Sequence, residues 1–413
     1  MPSSKYDIVI VGAGMVGSLL AALLQKSGLS ILMLERAAVE APLPDAPFEP
    51  RVSALTRASE NLLRHVGAWA AVEACRCCAY TGMTVWDADG SGRVEFSSRE
   101  IGESHLGVLV ENRLLQAALT DVAVKAGNVT LRCPARLTHL ERLPQGWQLT
   151  LDDGETLQAT LLVGADGAQS AVRGMAGLDV RVKDYHQRAI VTTVRTQKPH
   201  QFTAWQRFSP TGPLAFLPLI TASGDDHYCS IVWSQDEPEA QRLMALDDQA
   251  FMREIGFALE STLGNIESVD PRYSFPLRAA HATDYVRDGI ALIGDAAHAI
   301  HPLAGQGVNI GLLDAGVLAE EICRALDRKI AWSDEVTLSR YARRRRAHNT
   351  LILNSMTGFQ KLFGSQNPLL VVARNIGMRA TNRLLPVKQE LARVAMGLSG
   401  DLPGSARTGG QGL

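Results

Sequence analysis

Two apolar periods alternate along the chain. Residues 6–11 (YDIVIV) form a short continuous apolar run, the pattern of a strand buried on both faces. Leu19, Leu20, Leu23 and Leu24 then recur at helical spacing, and Gly28 stands where a helix would end. A second apolar run, 31–34, stops at Glu35, completing a strand–helix–strand unit. After a loop carrying Pro42, Pro44, Pro47 and Pro50, the pattern predicts a helix over 53–66. Residues 83–96 read as a hairpin turning near Asp89-Gly90. Glu111-Asn112-Arg113 opens a helix with Leu114, Leu115, Ala118 and Leu119 on its apolar side. Short strands fill 131–161, with turns at Pro144-Gln145-Gly146 and Asp152-Asp153-Gly154, and 161–163 is a further buried strand.

Residues 189–233 have a different texture. Four alternating stretches (IVTTVRT, TAWQRF, LAFLPLI, HYCSIVW) predict an antiparallel sheet. Residues 243–263 read as helix, and 269–277 lead to a buried strand at 290–293. That strand runs into Gly294-Asp295, a loop with Pro302, Gly305 and Gly307, and an apolar helix from about Val308. Beyond Asp314 the chain is helical, and the Gly/Ser-rich end at 399–413 reads as a frayed tail.

Composition narrows the class. At 413 residues there is room for two or three domains, and 46% hydrophobic with 20% charged residues is ordinary for a globular protein. A net charge of −2 argues against a nucleic-acid partner. Of six cysteines, the Cys75-x-Cys77-Cys78 cluster lacks partners at zinc spacing, so no metal is expected and reduced thiols are. Residues 8–24 are uncharged but short and glycine-broken, so no membrane span is expected and the location reads as cytoplasmic. The charge is nevertheless segregated. Residues 336–396 hold eleven Lys or Arg and one acid, Glu390, with a run at Arg343 to Arg346 and apolar patches at 351–353, 359–363, 368–372 and 384–387. Such helices suit an anionic membrane surface on the inner face; a solvated basic face covering an acidic body is the alternative.

The chemistry begins at Gly12-x-Gly14-x-x-Gly17. Placed between strand and helix, with Glu35 about twenty residues on, these glycines are the pattern of a dinucleotide turn. An acid at that position favours a ribose without a 2′-phosphate, hence FAD or NAD. Gly164-Ala165-Asp166-Gly167 and Gly294-Asp295 each set a carboxylate just past a strand end, where open α/β sheets bind ligands; either acid is also a normal turn residue. Arg51 is a candidate phosphate or flavin contact or a surface cation. Arg113 sits in a helix first turn, an unfavourable place for a cation unless it serves a phosphate. Trp205, Phe216, Trp233 and Phe275 either line a substrate cavity or belong to the core.

GAGMVG, GADGAQSAVR and GDAAHAIHPLAGQGVN together resemble the group A flavoprotein aromatic hydroxylases. Arg51-Val52-Ser53-Ala54, Val110-Glu111-Asn112, 301–309 and Ala395-Met396-Gly397-Leu398 resemble the ubiquinone-biosynthesis hydroxylases among them. SHLGVLVEN, FLPL and CSIVW are most similar to the bacterial 2-polyprenylphenol hydroxylase branch. The resemblance spans nearly the whole chain. It implies the α/β fold of para-hydroxybenzoate hydroxylase, with a discontinuous Rossmann-type FAD-binding domain (1–80, 104–182, 278–330). An inserted antiparallel-sheet substrate domain (81–103, 183–277), a C-terminal helical region (331–398) and a flexible tail (399–413) would complete it.

Residue roles follow from the same resemblance. Gly12, Gly14 and Gly17 would cradle the FAD pyrophosphate and Glu35 the adenosine ribose. Arg51 and Arg113 would contact the flavin or its phosphates. Asp166 and Gly167 lie in a motif tied to both FAD and nicotinamide binding, and Asp295 would bind the ribityl or pyrophosphate region. Pro302, Gly305, Gly307, Val308 and Asn309 would lie along the isoalloxazine edge, where a helix start stabilises reduced-flavin charge by roughly 0.3–2 kcal/mol. His298 and His301 belong to that loop, His301 joining the four aromatics as a substrate candidate. The implied reaction uses NAD(P)H or another donor, O2 and a flavin C4a-hydroperoxide to hydroxylate a polyprenylphenol held in an apolar tunnel. The sequence does not place the tyrosine relay of para-hydroxybenzoate hydroxylase, so no general base is named. Other ubiquinone-biosynthesis proteins and a homo-oligomer are the expected partners. The alternatives are a hydroxylase of a small soluble aromatic and a non-catalytic flavin-binding subunit.

Overall fold

The computed structural model describes residues 4–38, 40–299 and 307–407. The chain runs β1 (Ser4–Val11), α1 (Met15–Leu23), β2 (Ile31–Leu34), β3 (Val52–Leu55), α2 (Arg57–Val66), α3 (Trp69–Cys75), β4 (Cys78–Tyr80), β5 (Gly82–Asp87), β6 (Arg93–Ser97), β7 (Gly107–Glu111) and α4 (Asn112–Lys125). Next come β8 (Val129–Arg132), β9 (Leu137–Leu143), β10 (Gly146–Leu151), β11 (Thr156–Gly164), α5 (Ala171–Met175), β12 (Val180–Thr196), β13 (Thr203–Ser209), β14 (Gly212–Leu219) and β15 (Tyr228–Asp236). Then follow α6 (Glu237–Ala245), α7 (Asp248–Ala258), β16 (Ile266–Val269), β17 (Tyr273–Ala282), β18 (Val286–Arg287), β19 (Ile290–Leu292) and β20 (His298–Ala299). The helices α8 (Gly307–Asp327), α9 (Glu335–Phe363), α10 (Pro368–Arg383) and α11 (Leu385–Ala395) come last.

The continuous apolar runs form a parallel core, β19-β11-β1-β2-β8, with residues such as Ile8, Val9, Leu32 and Leu162 fully buried. Register aligns the strand ends: Val11 pairs with Leu34 and Gly164, and Gly164 with Leu292. Gly12, Glu35, Ala165 and Ile293 therefore leave the sheet along one edge, with Asp295 close behind.

The second sheet is mixed, ordered β20-β17-β12-β15-β14-β13-β5-β6, and a small sheet β3-β7-β4 bridges the two. β12 is seventeen residues long and pairs with β17 out to Ala282, so both strands run through the domain limits expected at 182/183 and 277/278. One face of this sheet packs Ile190, Phe216, Ile231 and Trp233 against Leu243, Phe251 and Ile255 of α6 and α7. The other face splits. Phe208 and Val94 meet Phe363 and Met378 of the C-terminal helices, while Leu217 and Tyr228 meet Val52 and Ala54 of the bridging sheet.

Several elements differ from the sequence pattern. Residues 53–55 are strand rather than helix, because β3 pairs with β7 and Thr56 caps α2 by accepting from the Ser59 amide. The helix expected over 243–263 is two, broken where Asp247 accepts from the Ala250 amide and caps α7. The tail is packed through residue 407. Leu402 and Ala406 are buried, the Ala406 carbonyl accepts from Asn61, and Asp401 pairs with Arg344 at 2.8 Å.

The arginine run is not one surface. On α9, Arg343 and Arg346 are exposed, but Arg344 pairs with Glu320, Glu321 and Asp401, and Arg345 is fully buried against Asp314 at 2.7 Å. Tyr341 of the same helix donates to the Leu292 carbonyl at 2.6 Å, locking α9 to the sheet edge that carries Asp295.

Two histidines near this packing predict an acid sensitivity. Burial, with His298 and Arg346 nearby, lowers His281 to about 4, and burial beside Arg345 lowers His348 to about 4. Both are neutral in the folded protein, while the unfolded chain takes up protons near 6.5. The unfolded state then binds more protons across that window, so stability should fall as pH drops from about 6.5 to 4. Below that, Asp314 and Glu60, held at about 2 by their cationic partners against the opposing effect of burial, should add a second loss. Urea denaturation across this range checks it; a midpoint that stays flat between pH 7 and 4.5 would remove the histidine contribution.

Candidate active site

Three turns meet at the sheet edge. Gly12 follows β1 at φ +102°, and a β-carbon there would overlap the Ala165 carbonyl. One on Gly17 would overlap the Gly12 carbonyl, so the first and second turns and α1 are in direct contact. The third turn closes from the other side: a β-carbon on Gly311 of α8 would lie 3.1 Å from the Gly294 Cα and 2.8 Å from Val16. Arg173 then ties the second turn to the third, donating to the Ala168 and Ala296 carbonyls at 2.8 Å each.

This frame leaves room where a ligand belongs. Gly14, at the start of α1, has nothing within 4 Å of where a side chain would begin, and no side chain caps the helix. A helix N-terminus with open amides and no Cβ in the way is an anion site. Glu35 lies beside it, accepting from the Ala13 amide at 2.9 Å. Asp166 caps α5 through one oxygen, accepting from Ala171 at 2.7 Å and Val172 at 3.2 Å; its other oxygen is buried without a partner among the described residues. Asp295 is exposed to solvent beside the third turn, where lost hydration raises its pKa against the pull of His298 and Arg51. Open amides, an orphaned carboxylate oxygen and a solvent-facing aspartate fit a diphosphate flanked by hydroxylated groups, as a dinucleotide such as FAD presents.

Residues 5–355 match the model of a family described as an FAD binding domain. A 3-demethoxyubiquinol 3-hydroxylase of Escherichia coli is 37% identical over 398 residues, covering 96% of this chain and 100% of that one. The ubiquinone hydroxylase UbiL of Rhodospirillum rubrum is 35% identical over 391 residues, covering 95% and 89%. This chain belongs to the FAD-dependent ubiquinone-hydroxylase family. Its fold is shared with p-nitrophenol 4-monooxygenase PnpA of Pseudomonas putida, at a TM-score of 0.78 and 19% identity over 95% of this chain and 98% of that one. FAD is therefore the cofactor and aromatic-ring monooxygenation the reaction class; a reduced nicotinamide-type donor is general for that class.

The remaining site candidates of this hydroxylase sort by geometry. Arg51 lies 5.3 Å from the Phe275 ring centroid, near Asp295. Arg113 is half-exposed and bonds Glu49 at 2.5 Å. Asn309 is buried: its oxygen accepts from the Thr56 amide and the Ser59 hydroxyl, and its nitrogen donates to the Ala54 carbonyl at 2.8 Å. Its side chain thus pins the α8 start to β3. Gly307 and Val308 open α8, half-buried, while His301, Pro302 and Gly305 lie outside the described residues. No helix of the described chain is long and apolar enough to cross a membrane.

The four aromatics separate by strand register. Trp205 pairs with Phe216, and Ile190 with Trp233, all on the face covered by α6 and α7. Phe275 pairs with Ala189, one residue out of phase with Ile190, and so lies on the opposite face. Trp205, Phe216 and Trp233 therefore belong to a core, and only Phe275 faces the cofactor domain. That face carries a wall the sequence pattern did not single out: Val191, Ala215, Leu217 and Val232, half-buried beside Phe275.

A polar cluster was also missed. Asp314 Oδ2 accepts from the Gly294 amide at 3.0 Å and pairs with His298 Nε2 at 2.5 Å; Oδ1 accepts from Arg345 at 2.7 Å and Asn349 at 3.2 Å. His298 is thus part of a buried bracket holding both ends of the Asp295 turn. The readable signal was a lone acid in the otherwise uncharged stretch Val308–Ala319, since a charge buried in such a helix requires partners. Glu111 of the VEN motif likewise has a scaffold task. It pairs with Arg76, whose guanidinium donates to the Pro44, Ala46 and Pro47 carbonyls and so anchors the proline loop.

Proposed function

We propose that this hydroxylase acts on the ring of a polyprenylated phenol in ubiquinone synthesis. The apolar wall carries the reading. Val191, Ala215, Leu217, Val232 and Phe275 present half-buried hydrocarbon on one face of the sheet, where Leu217 packs with Val52 and Ala54 of β3, and these strand positions carry no charge themselves. The cation beside it, Arg51, lies over the Phe275 ring toward Asp295, so the rest of the wall offers hydrocarbon, on which a prenyl tail recovers about 0.8 kcal/mol per buried CH2. FAD, when bound, supplies electron transfer from the donor and activation of O2. The chain's own residues align the ring against the flavin and exclude water: the wall from one side, and the Asp295 turn with the α8 start from the other.

The relative named for 3-demethoxyubiquinol favours a second reading within this class, a demethoxyubiquinol rather than a 2-polyprenylphenol. The quinone profile of a deletion strain separates them. The accumulated prenylated compound should lack one hydroxyl, and its other ring substituents identify the substrate. An unchanged profile, or turnover of a short water-soluble phenol as fast as of a prenylated one, would contradict the proposal.

A further inference from the structure

α10 and α11 are amphipathic the wrong way round. α10 buries Arg374 and Asn375: Arg374 pairs with Asp87 at 2.6 Å and donates to the Leu362, Phe363 and Ser365 carbonyls, while Asn375 donates to Asp87 at 2.7 Å. α11 buries Lys388, which pairs with Glu100 at 2.7 Å. The outward positions are the apolar ones. Leu369, Val372 and Ile376 of α10 are 81%, 57% and 55% exposed, and Val387, Leu391 and Val394 of α11 are 47%, 47% and 51% exposed. Neither helix can rotate this face inward without breaking its buried ion pair. Surface leucines scattered singly need no explanation, but an exposed apolar stripe on each of two successive helices marks an interaction site.

The charge around this face selects the occupant. Val372, Ile376, Arg379 and Arg383 recur at helical spacing, so the two arginines continue the apolar stripe toward the end of α10. Arg379, Arg383 and Arg393 are exposed, against one exposed acid on the two helices, Glu390. Hydrocarbon at the centre with arginines at the margin matches acyl chains beneath anionic headgroups, the arginine stems covering hydrocarbon while their guanidinium groups reach phosphate. We propose that the α10–α11 face docks on an anionic lipid bilayer. The Arg343–Arg346 run contributes little, since Arg344 and Arg345 are engaged inside the protein. Met378, on the inward side of α10, packs on the same sheet face as the wall of Val191 and Leu217, so a lipid substrate would enter from the docked side.

Co-sedimentation of the flavin-loaded, full-length protein with vesicles tests this, and needs neither substrate nor turnover, so its outcome is independent of the prenylphenol reading. Binding is expected to phosphatidylglycerol-containing vesicles, weak binding to phosphatidylcholine alone, and a loss with added salt. Arg379→Ala with Arg383→Ala and Arg393→Ala should weaken binding about fivefold per residue, on the order of a hundredfold together. Ile376→Asp with Leu391→Asp should abolish it while leaving flavin content unchanged. Equal sedimentation of the wild type and both variants would overturn the proposal. So would a wild-type dimer, absent from vesicles, that the Ile376→Asp/Leu391→Asp protein turns into a monomer; the face would then belong to a second copy.

Discussion

Replacing Asp314 with alanine is expected to lower the unfolding free energy by about 3–5 kcal/mol, the cost of stranding one member of a buried ion pair. Asp314 and Arg345 are both fully shielded from solvent, and one Arg345 nitrogen already lacks a partner among the described residues. Without the carboxylate, Arg345 would be a buried cation with, among the described residues, Asn349 and the Ile310 carbonyl left to it. The Gly294 amide and His298 would lose their acceptor at the same time, so the turn carrying Asp295 should loosen and flavin retention should fall. The control is Asp314→Leu combined with Arg345→Met, which removes both charges and should recover much of the stability, because the desolvation cost disappears with them. Urea denaturation of Asp314→Leu, Arg345→Met and the double variant, beside the wild type, gives the coupling. A loss below about 1 kcal/mol for Asp314→Ala would show that the bracket does not hold the turn.

Asp295→Ala should separate cofactor binding from folding. The side chain reaches solvent, and among the described residues it makes no hydrogen bond or ion pair. Its removal should leave the stability of the apoprotein within about 0.5 kcal/mol of wild type. A carboxylate aimed at a ligand hydroxyl contributes as a charged hydrogen bond, so FAD affinity should drop about ten- to a hundredfold. Flavin titration of the apoprotein, followed by quenching, reads this directly. Unchanged affinity would remove Asp295 from the cofactor site and leave it a turn residue. The contrast with Asp314 is informative: two aspartates nineteen positions apart on one structural unit, one predicted to act on the ligand and the other on the frame.

Local sequence carried the nucleotide frame because its requirements are local. The Gly12 turn needs a positive φ, Gly17 needs no side chain against the Gly12 carbonyl, and a βαβ unit brings both beside Glu35 within thirty-five residues. The aromatic residues were harder. Both faces of the second sheet are covered, so alternation along β13, β14 and β15 marks two apolar sides without saying which faces the flavin. Only the pairing of Ile190 with Trp233 and of Ala189 with Phe275 assigns them. The arginine run was illegible for a related reason. Four identical residues differ only in helical phase, and the partner of Arg345 lies thirty-one residues away on another helix.

The sequence by itself determined the cofactor frame, the family and the segregation of positive charge into the last quarter of the chain. Those depend on residues close in sequence or on summed charge. The tertiary structure decided which apolar face meets the ring, which arginines are internal, and that α10 and α11 turn hydrocarbon outward. Each of those depends on a partner distant in the chain (Asp314 for Arg345, Asp87 for Arg374, Glu100 for Lys388). A buried charge must be paired, and the position of its partner sets the orientation of the helix that carries it.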